Sequence, residues 1–208
     1  MAGYSRRLQN NAIFVCDIQD KFRKAIYGFD DVVRTTTKVL RAAKLLSIPV
    51  YVTTQNRARL GDTVSELRPH LDAAELKEDV DKTRFSMWVP DVARHFPSPS
   101  GSQDQPANVV IVGIEAHICV TQTALDLLAA GHGVRVLADG VSSSSREEAA
   151  VALARLRAEG AVVTTSESWL YELIGDAAAP EFRDIVSLVK DTAPDSRRAL
   201  QTLLASKI

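Results

Sequence analysis

The chain has 208 residues, within the range of one domain, and an ordinary globular composition: 46% apolar, 25% charged and only 6% aromatic. Its 25 Lys and Arg nearly balance 26 Asp and Glu, giving a net charge of −1, so no global field recruits nucleic acid or an anionic membrane. No apolar run approaches the roughly 18–20 residues of a spanning helix, the opening MAGYSRRLQNN lacks a signal-peptide core, and two cysteines are too few for a disulfide framework, so a reduced, cytoplasmic setting is expected.

The first β-rich run is Ala12 to Asp17 (AIFVCD), which ends in a carboxylate and is followed by a polar loop and a helical pattern over Asp30 to Leu46. Pro49 to Thr54 (PVYVTT) repeats the strand signature. Gln55 to Met87 is a long connection with weak helix signals, and such insertions tend to wall a pocket. Pro97 to Ala107, dense in Pro, Ser, Gly and Gln, predicts an exposed, mobile loop. Three more strands follow at Val109 to Gly113, Val134 to Asp139 and Ala161 to Thr165. Between them, helical patterns over Val120 to Ala130 and Arg146 to Glu159 stop at Gly131 and Gly160. Trp169 to Ile174 and Phe182 to Val189 predict two further helices, the second just after Pro180.

These strands are nearly continuous in Val, Ile and Leu, the habit of parallel strands covered on both faces. The β-α order therefore predicts a three-layer α/β/α fold, doubly wound on a mostly parallel sheet of five or six strands, with ligands beyond the strands' carboxyl ends. Residues 1–10 read as an N-terminal extension, 11–195 as the domain and 196–208 as a polar tail. No internal repeat, heptad pattern, GxGxxG or P-loop is present, so no nucleotide cofactor is expected.

Chemistry concentrates at three positions. Cys119 opens the helix after the strongest strand, where unpaired first-turn N–H groups and the helix dipole favour a thiolate and a developing oxyanion; its structural alternative is a small buried hydrophobe. Asp17 ends the first strand at the same sheet edge, and its structural alternative is a turn cap. Lys82, in VDKTRFSMW, says little alone, since most lysines are solvated.

Together these residues resemble the isochorismatase-like cysteine hydrolase family, which also includes nicotinamidases and N-carbamoylsarcosine amidase. The resemblance rests on Asp17-Ile18-Gln19, on Lys82 ahead of Phe85-Ser86, and on Gly113-Ile114-Glu115-Ala116-His117-Ile118-Cys119-Val120, and it runs from about residue 11 to 195. Cys16-Asp17-Ile18-Gln19-Asp20-Lys21-Phe22, Lys82-Thr83-Arg84-Phe85-Ser86-Met87 and Thr165-Ser166-Glu167-Ser168 look closest to the small eukaryotic isochorismatase domain-containing branch.

The resemblance implies a hydrolase in which Cys119 attacks a carbonyl carbon, Asp17 takes and returns the proton, and Lys82 holds both by charge. It implies a cis peptide at Ile114-Glu115, with the N–H groups of Glu115 and Cys119 forming an oxyanion hole. It also implies substrate contacts from Gln19, Phe22, Gln55, Phe85 and His117, a small amide or related carbonyl substrate, and a homo-oligomer, commonly a dimer or tetramer, built on the helices after the fourth and fifth strands. Isochorismate cleavage is only one activity of the group and is not inferred here.

Departures from the family bear on substrate. Nicotinamidases bind a metal through an Asp/His cluster after the second strand, whereas this chain has Thr53-Thr54-Gln55-Asn56-Arg57-Ala58-Arg59-Leu60-Gly61 there. His70, His95, His117 and His132 show no metal-ligand spacing, so no metal is expected. Arg57 and Arg59 are either contacts for a substrate carboxylate or solvated loop charges. The rewritten loop leaves open an inactive binding or scaffolding protein. Cys16, one residue before Asp17 in a strand, is expected to face away from it as core, and Trp88 and Trp169 are expected to pack. The terminal Ser206-Lys207-Ile208 is either a variant peroxisomal address or a chance tripeptide.

Overall fold

The computed structural model describes residues 8–97 and 105–204. The start of the N-terminal extension, most of the Pro- and Ser-rich loop and the Ser206-Lys207-Ile208 terminus lie outside the described residues. The elements run β1 (Asn11–Cys16), α1 (Phe29–Leu46), β2 (Pro49–Gln55), α2 (Arg57–Leu60), α3 (Arg68–Ala73), β3 (Glu75–Lys82), α4 (Pro90–Ala93), β4 (Asn108–Ile114), α5 (Thr121–Ala129), β5 (Gly133–Ser142), α6 (Arg146–Ala158), β6 (Val162–Thr164), α7 (Ser166–Ile174), α8 (Phe182–Asp191) and α9 (Ala193–Leu204).

The six strands form one parallel sheet in the order β3-β2-β1-β4-β5-β6. Alternation along the buried strands feeds two separate cores. Ile13, Val15, Val50, Val52, Val110 and Val112 face α1, α7 and α8; Phe14, Cys16, Tyr51, Val109, Ile111 and Val136 face α5 and α6. Trp169 is buried in the first core, and Trp88 packs edge-on against Phe96 and His132 in the second. Because the chain winds outward from β1 on one side and from β4 on the other, the carboxyl ends of β1 and β4 flank the switch point, the place where open α/β sheets bind their ligands.

β3 is the strand hidden in the long Gln55 to Met87 connection. Six of its eight residues (ELKEDVDK) are charged, which erases the apolar signal while suiting an edge strand that must not recruit another chain. Arg57 and Arg68 pair with Asp79, and His95 with Glu78, tying the flanking segments to that edge.

The expected polar tail from residue 196 is corrected in part: α9 carries the chain in helical form to Leu204, packed on α1 and β5. Its anchoring is largely polar. The buried Lys38 ammonium donates to Ser166 Oγ at 3.2 Å and Ser196 Oγ at 3.1 Å, while Asp139 accepts from both the N–H and the hydroxyl of Ser166. Burial lowers the pKa of Lys38 and raises that of Asp139, each opposed by the other's charge. Arg198 reaches Asp31 at 3.2 Å.

One glycine is needed for the two central strands to meet. Gly113 has φ 119°, and a Cβ there would sit 2.1 Å from the Cys16 carbonyl oxygen. Gly113→Ala is expected to cost about 3 kcal/mol or more in unfolding free energy. Urea denaturation tests this, and an unchanged midpoint would mean that β4 has room to spare against β1.

Candidate active site

Asp17 leaves β1 with a left-handed backbone, φ 50°, and its N–H donates to the Thr53 carbonyl at the end of β2. The side chain is 1% exposed, yet it is fully partnered. Oδ1 accepts the Thr53 hydroxyl at 2.7 Å, and Oδ2 accepts the Lys82 ammonium at 2.7 Å. Lys82 ends β3, is also buried, and donates in addition to Gln55 Oε1 at 2.8 Å and the Phe85 carbonyl at 3.0 Å, so its three protons have three acceptors. Burial works against the ammonium, but the Cys16, Asp17 and Cys119 sites facing it together outweigh that penalty and hold the Lys82 pKa above the ordinary lysine value. Lys82 is a fixed positive charge at neutral pH.

The Ile114–Glu115 peptide bond is cis. From it the chain enters a π-helical turn, Ala116–Val120, that carries Cys119 just before α5. Cys119 is almost buried, and its carbonyl accepts the Thr123 hydroxyl at 2.6 Å. The Glu115 carboxylate accepts the Ser144 N–H at 2.8 Å, fastening this turn to the segment after β5, and His117 Nδ1 lies 2.9 Å from Ser143 Oγ.

Asp17 and Lys82 thus meet from the ends of β1 and β3, and Cys119, on the turn after β4, acts electrostatically on the same ammonium. The other expected site residues divide. Gln55 touches Lys82 and donates from Nε2 to the Thr83 carbonyl, so it holds the ammonium in place. Gln19, expected to touch substrate, is fully buried: its Oε1 accepts the Gln55 N–H and its Nε2 donates to the Gly61 and Gln55 carbonyls. Its amide is consumed in joining β2 to the segment after α2, which corrects the substrate-contact expectation. Phe22, in a short 3-10 turn (Asp20–Phe22), packs against the first core. Phe85 is half exposed beside the Lys82 anchor, and His117 is partly exposed.

Arg57 is also reassigned. It pairs with Asp79 at 2.5 Å and Asp62 at 3.3 Å, leaving little of its fork for a substrate carboxylate, whereas Arg59 is exposed. Among the described residues no group of three or more His, Cys, Asp and Glu is arranged to hold a metal ion.

Cys16 corrects a further expectation. Alternation puts it on the α5 and α6 side of the sheet, the side of Cys119, and the left-handed turn at Asp17 ends the alternation that would have sent the carboxylate the other way. Its Sγ lies 3.7 Å from Asp17 Oδ2. Thr53 is the other residue that sequence reasoning missed. It pairs in register with Cys16, and its only sequence signal is a small polar residue near a strand's carboxyl end.

The model of the isochorismatase domain matches residues 11–168. The chain belongs to the isochorismatase family. Among its family relatives, the secreted isochorismatase effector Isc1 of Phytophthora sojae is 43% identical over 182 residues, covering 88% of this chain and 85% of the relative. Isochorismatase domain-containing protein 2 of Homo sapiens is 41% identical over 187 residues, covering 90% and 86%. The solved structure of the MAR1 ribonuclease from Caenorhabditis elegans superposes with a TM-score of 0.80 at 40% identity, covering 90% of this chain and 93% of that one. The isochorismatase-like hydrolase fold is therefore this chain's fold, at family-level identity and across nearly its whole length.

Lys82→Met leaves the buried Asp17 carboxylate without its ion-pair partner, at an expected cost of about 3–5 kcal/mol in urea denaturation. Because the folded-state pKa of Lys82 is raised, its stabilisation is complete below the unfolded lysine value of about 10.4 and is lost as pH rises through the folded value. The stability difference between wild type and Lys82→Met should accordingly shrink at strongly alkaline pH; a difference that stays constant there would contradict the pairing.

Proposed function

We propose that this isochorismatase-family protein is a cysteine hydrolase acting on a small-molecule amide or related carbonyl compound. The observation that carries the reading is the buried Asp17–Lys82 pair, held at 2.7 Å, with the Cys119 site close enough to raise the pKa of that same ammonium. Asp17 accepts the Cys119 proton as the sulfur attacks the carbonyl carbon. The N–H groups of Glu115 and Cys119 receive the developing oxyanion, a kind of contact worth about 10²–10³ in rate per donor. Asp17 then returns the proton to the departing nitrogen, and later takes one from the water that cleaves the thioester. Lys82, with all its protons engaged, stays charged throughout and holds the carboxylate in place.

The word ribonuclease belongs to the nematode structure. For this chain it finds less support, because the net charge is −1 and the ammonium at the site has no proton left for a phosphate. Self-association fits the same reading, since Val151 on α6, Val162 on β6 and Tyr171 on α7 expose apolar surface where a copy could pack.

The first test is thiol reactivity at neutral pH. Iodoacetamide should alkylate Cys119 much faster than Cys16, and Asp17→Asn or Lys82→Ala should slow Cys119 by about tenfold or more. Equal, slow labelling of both cysteines would favour a scaffold that kept the fold and lost the chemistry. The second is a panel of small amides, carbamoyl compounds and carboxylate esters, in which at least one should be turned over by wild type and by no Cys119→Ala preparation.

A further inference from the structure

Cys16 is a thiol that the proposed hydrolysis does not use, although it is built into the same cluster. It is wholly buried as the last residue of β1, paired in register with Gly113. Its Sγ points to Asp17 Oδ2 at 3.7 Å, and the Cys119 thiol is near enough to add to the rise in its pKa. Both sulfurs belong to the core between the sheet, α5 and α6. Burial first, then Cys119 and Asp17, push the Cys16 pKa well above the ordinary thiol value, so it waits in the protonated form. A slightly exposed sulfur and a second, sealed sulfur in the same core, with a carboxylate beside the second, are the parts needed to capture an oxidised thiol.

We propose that Cys16 is the resolving thiol for Cys119, so that a hydroperoxide converts the pair to a reversible disulfide that switches the site off. The proposal rests on the reading of Cys119 as the reactive sulfur. In the first step the Cys119 thiolate attacks one peroxide oxygen: an S–O bond forms, the O–O bond breaks, and the second oxygen leaves as hydroxide and is protonated to water. Cys119 is oxidised by two electrons to the sulfenic acid, and the peroxide is reduced. In the second step the Cys16 sulfur attacks the Cys119 sulfur while Asp17, at 3.7 Å, takes the Cys16 proton. The S–S bond forms, the S–O bond breaks, and the hydroxide leaves as water with that proton. Two thiols and one hydroperoxide of hydrogen thus give one disulfide and two waters. The nucleophile is then capped, and a dithiol reductant regenerates it; over-oxidation to a sulfinic acid would have been permanent.

The experiment treats the full chain with a small excess of hydrogen peroxide, blocks remaining thiols with N-ethylmaleimide in denaturant, and maps peptides by mass with and without later dithiothreitol. Wild type should yield the linked Cys16–Cys119 peptide pair within one chain, and dithiothreitol should return Cys119 to full iodoacetamide labelling. Cys16→Ser should instead carry sulfenic acid at Cys119, trapped by dimedone, and then sulfinic acid that dithiothreitol does not reverse. Cys16→Ala serves as a second variant, and the wild-type peptide map decides whether the bond forms even where neither variant folds. Sulfinic acid at Cys119 in wild type, with Cys16 still free, would overturn the proposal and leave the hydrolase reading intact; so would disulfides between chains through Cys119. A Cys119 that neither oxidises nor alkylates in the folded protein would sink both.

Discussion

The ion pair between Asp17 and Lys82 is the constraint around which the sheet edge is organised. Two charges with almost no solvent contact incur a desolvation penalty of several kcal/mol each, and only complete partnering offsets it. That requirement explains residues that do no chemistry. Thr53 satisfies the carboxylate oxygen that Lys82 does not reach, while Gln55 and the Phe85 carbonyl accept the other two ammonium protons. Gln19, one layer further out, fixes the Gln55 backbone so that its side chain faces Lys82. The pair also links β1 to β3 across the intervening β2, so the end of the charged edge strand is locked to the centre of the sheet.

The same logic acts on the opposite face. Lys38 and Asp139 are buried among hydroxyls contributed by α7 and α9, and this polar bridge holds the last helix on α1 where apolar contact is thin. The domain therefore carries a buried charged cluster at the carboxyl end of its sheet and another beneath α1, α7 and α9. The cluster beyond the strand ends adjoins a thiol and a half-exposed aromatic ring; the other is sealed beneath helices. Only the first meets the ordinary expectation that a site opens where the winding direction reverses.

How far the sequence speaks for itself follows from which interactions leave a periodic trace. β1, β2, β4 and β5 each carry an apolar run buried on both faces, and they are legible because burial is the main demand on those runs. β3 is illegible because an edge strand selects charge over apolarity, and α9 because Lys38, Ser196 and Arg198 do the work that a leucine stripe does elsewhere. Asp17, Lys82 and Cys119 could be named from motif resemblance, yet the meeting of Asp17 with Lys82 spans 65 residues of chain, which no local pattern encodes. Cys16 is core, as expected, yet it does not face away from Asp17, for a sharper reason. The alternation rule assumes extended backbone, and the positive φ at Asp17 suspends it one residue too early for the rule to survive.

Charge at the centre bears on what can enter. The Asp17–Lys82 pair is neutral as a unit, and on the proposed reading the Cys119 proton passes to Asp17, so the cluster stays neutral and holds no spare positive charge for an anionic substrate. Arg57, the cation best placed in sequence to compensate, is already committed to Asp79 and Asp62. An anionic carbonyl compound entering there would lose hydration without finding a free cation, a cost that a low dielectric magnifies. A neutral amide carries no such penalty, and on the proposed reading its carbonyl oxygen becomes negative only in the transition state, beside the N–H groups of Glu115 and Cys119. On the proposed reading the electrostatics favour neutral substrates in the ground state and reward charge only as it develops, which is the condition for a binding preference to appear as rate.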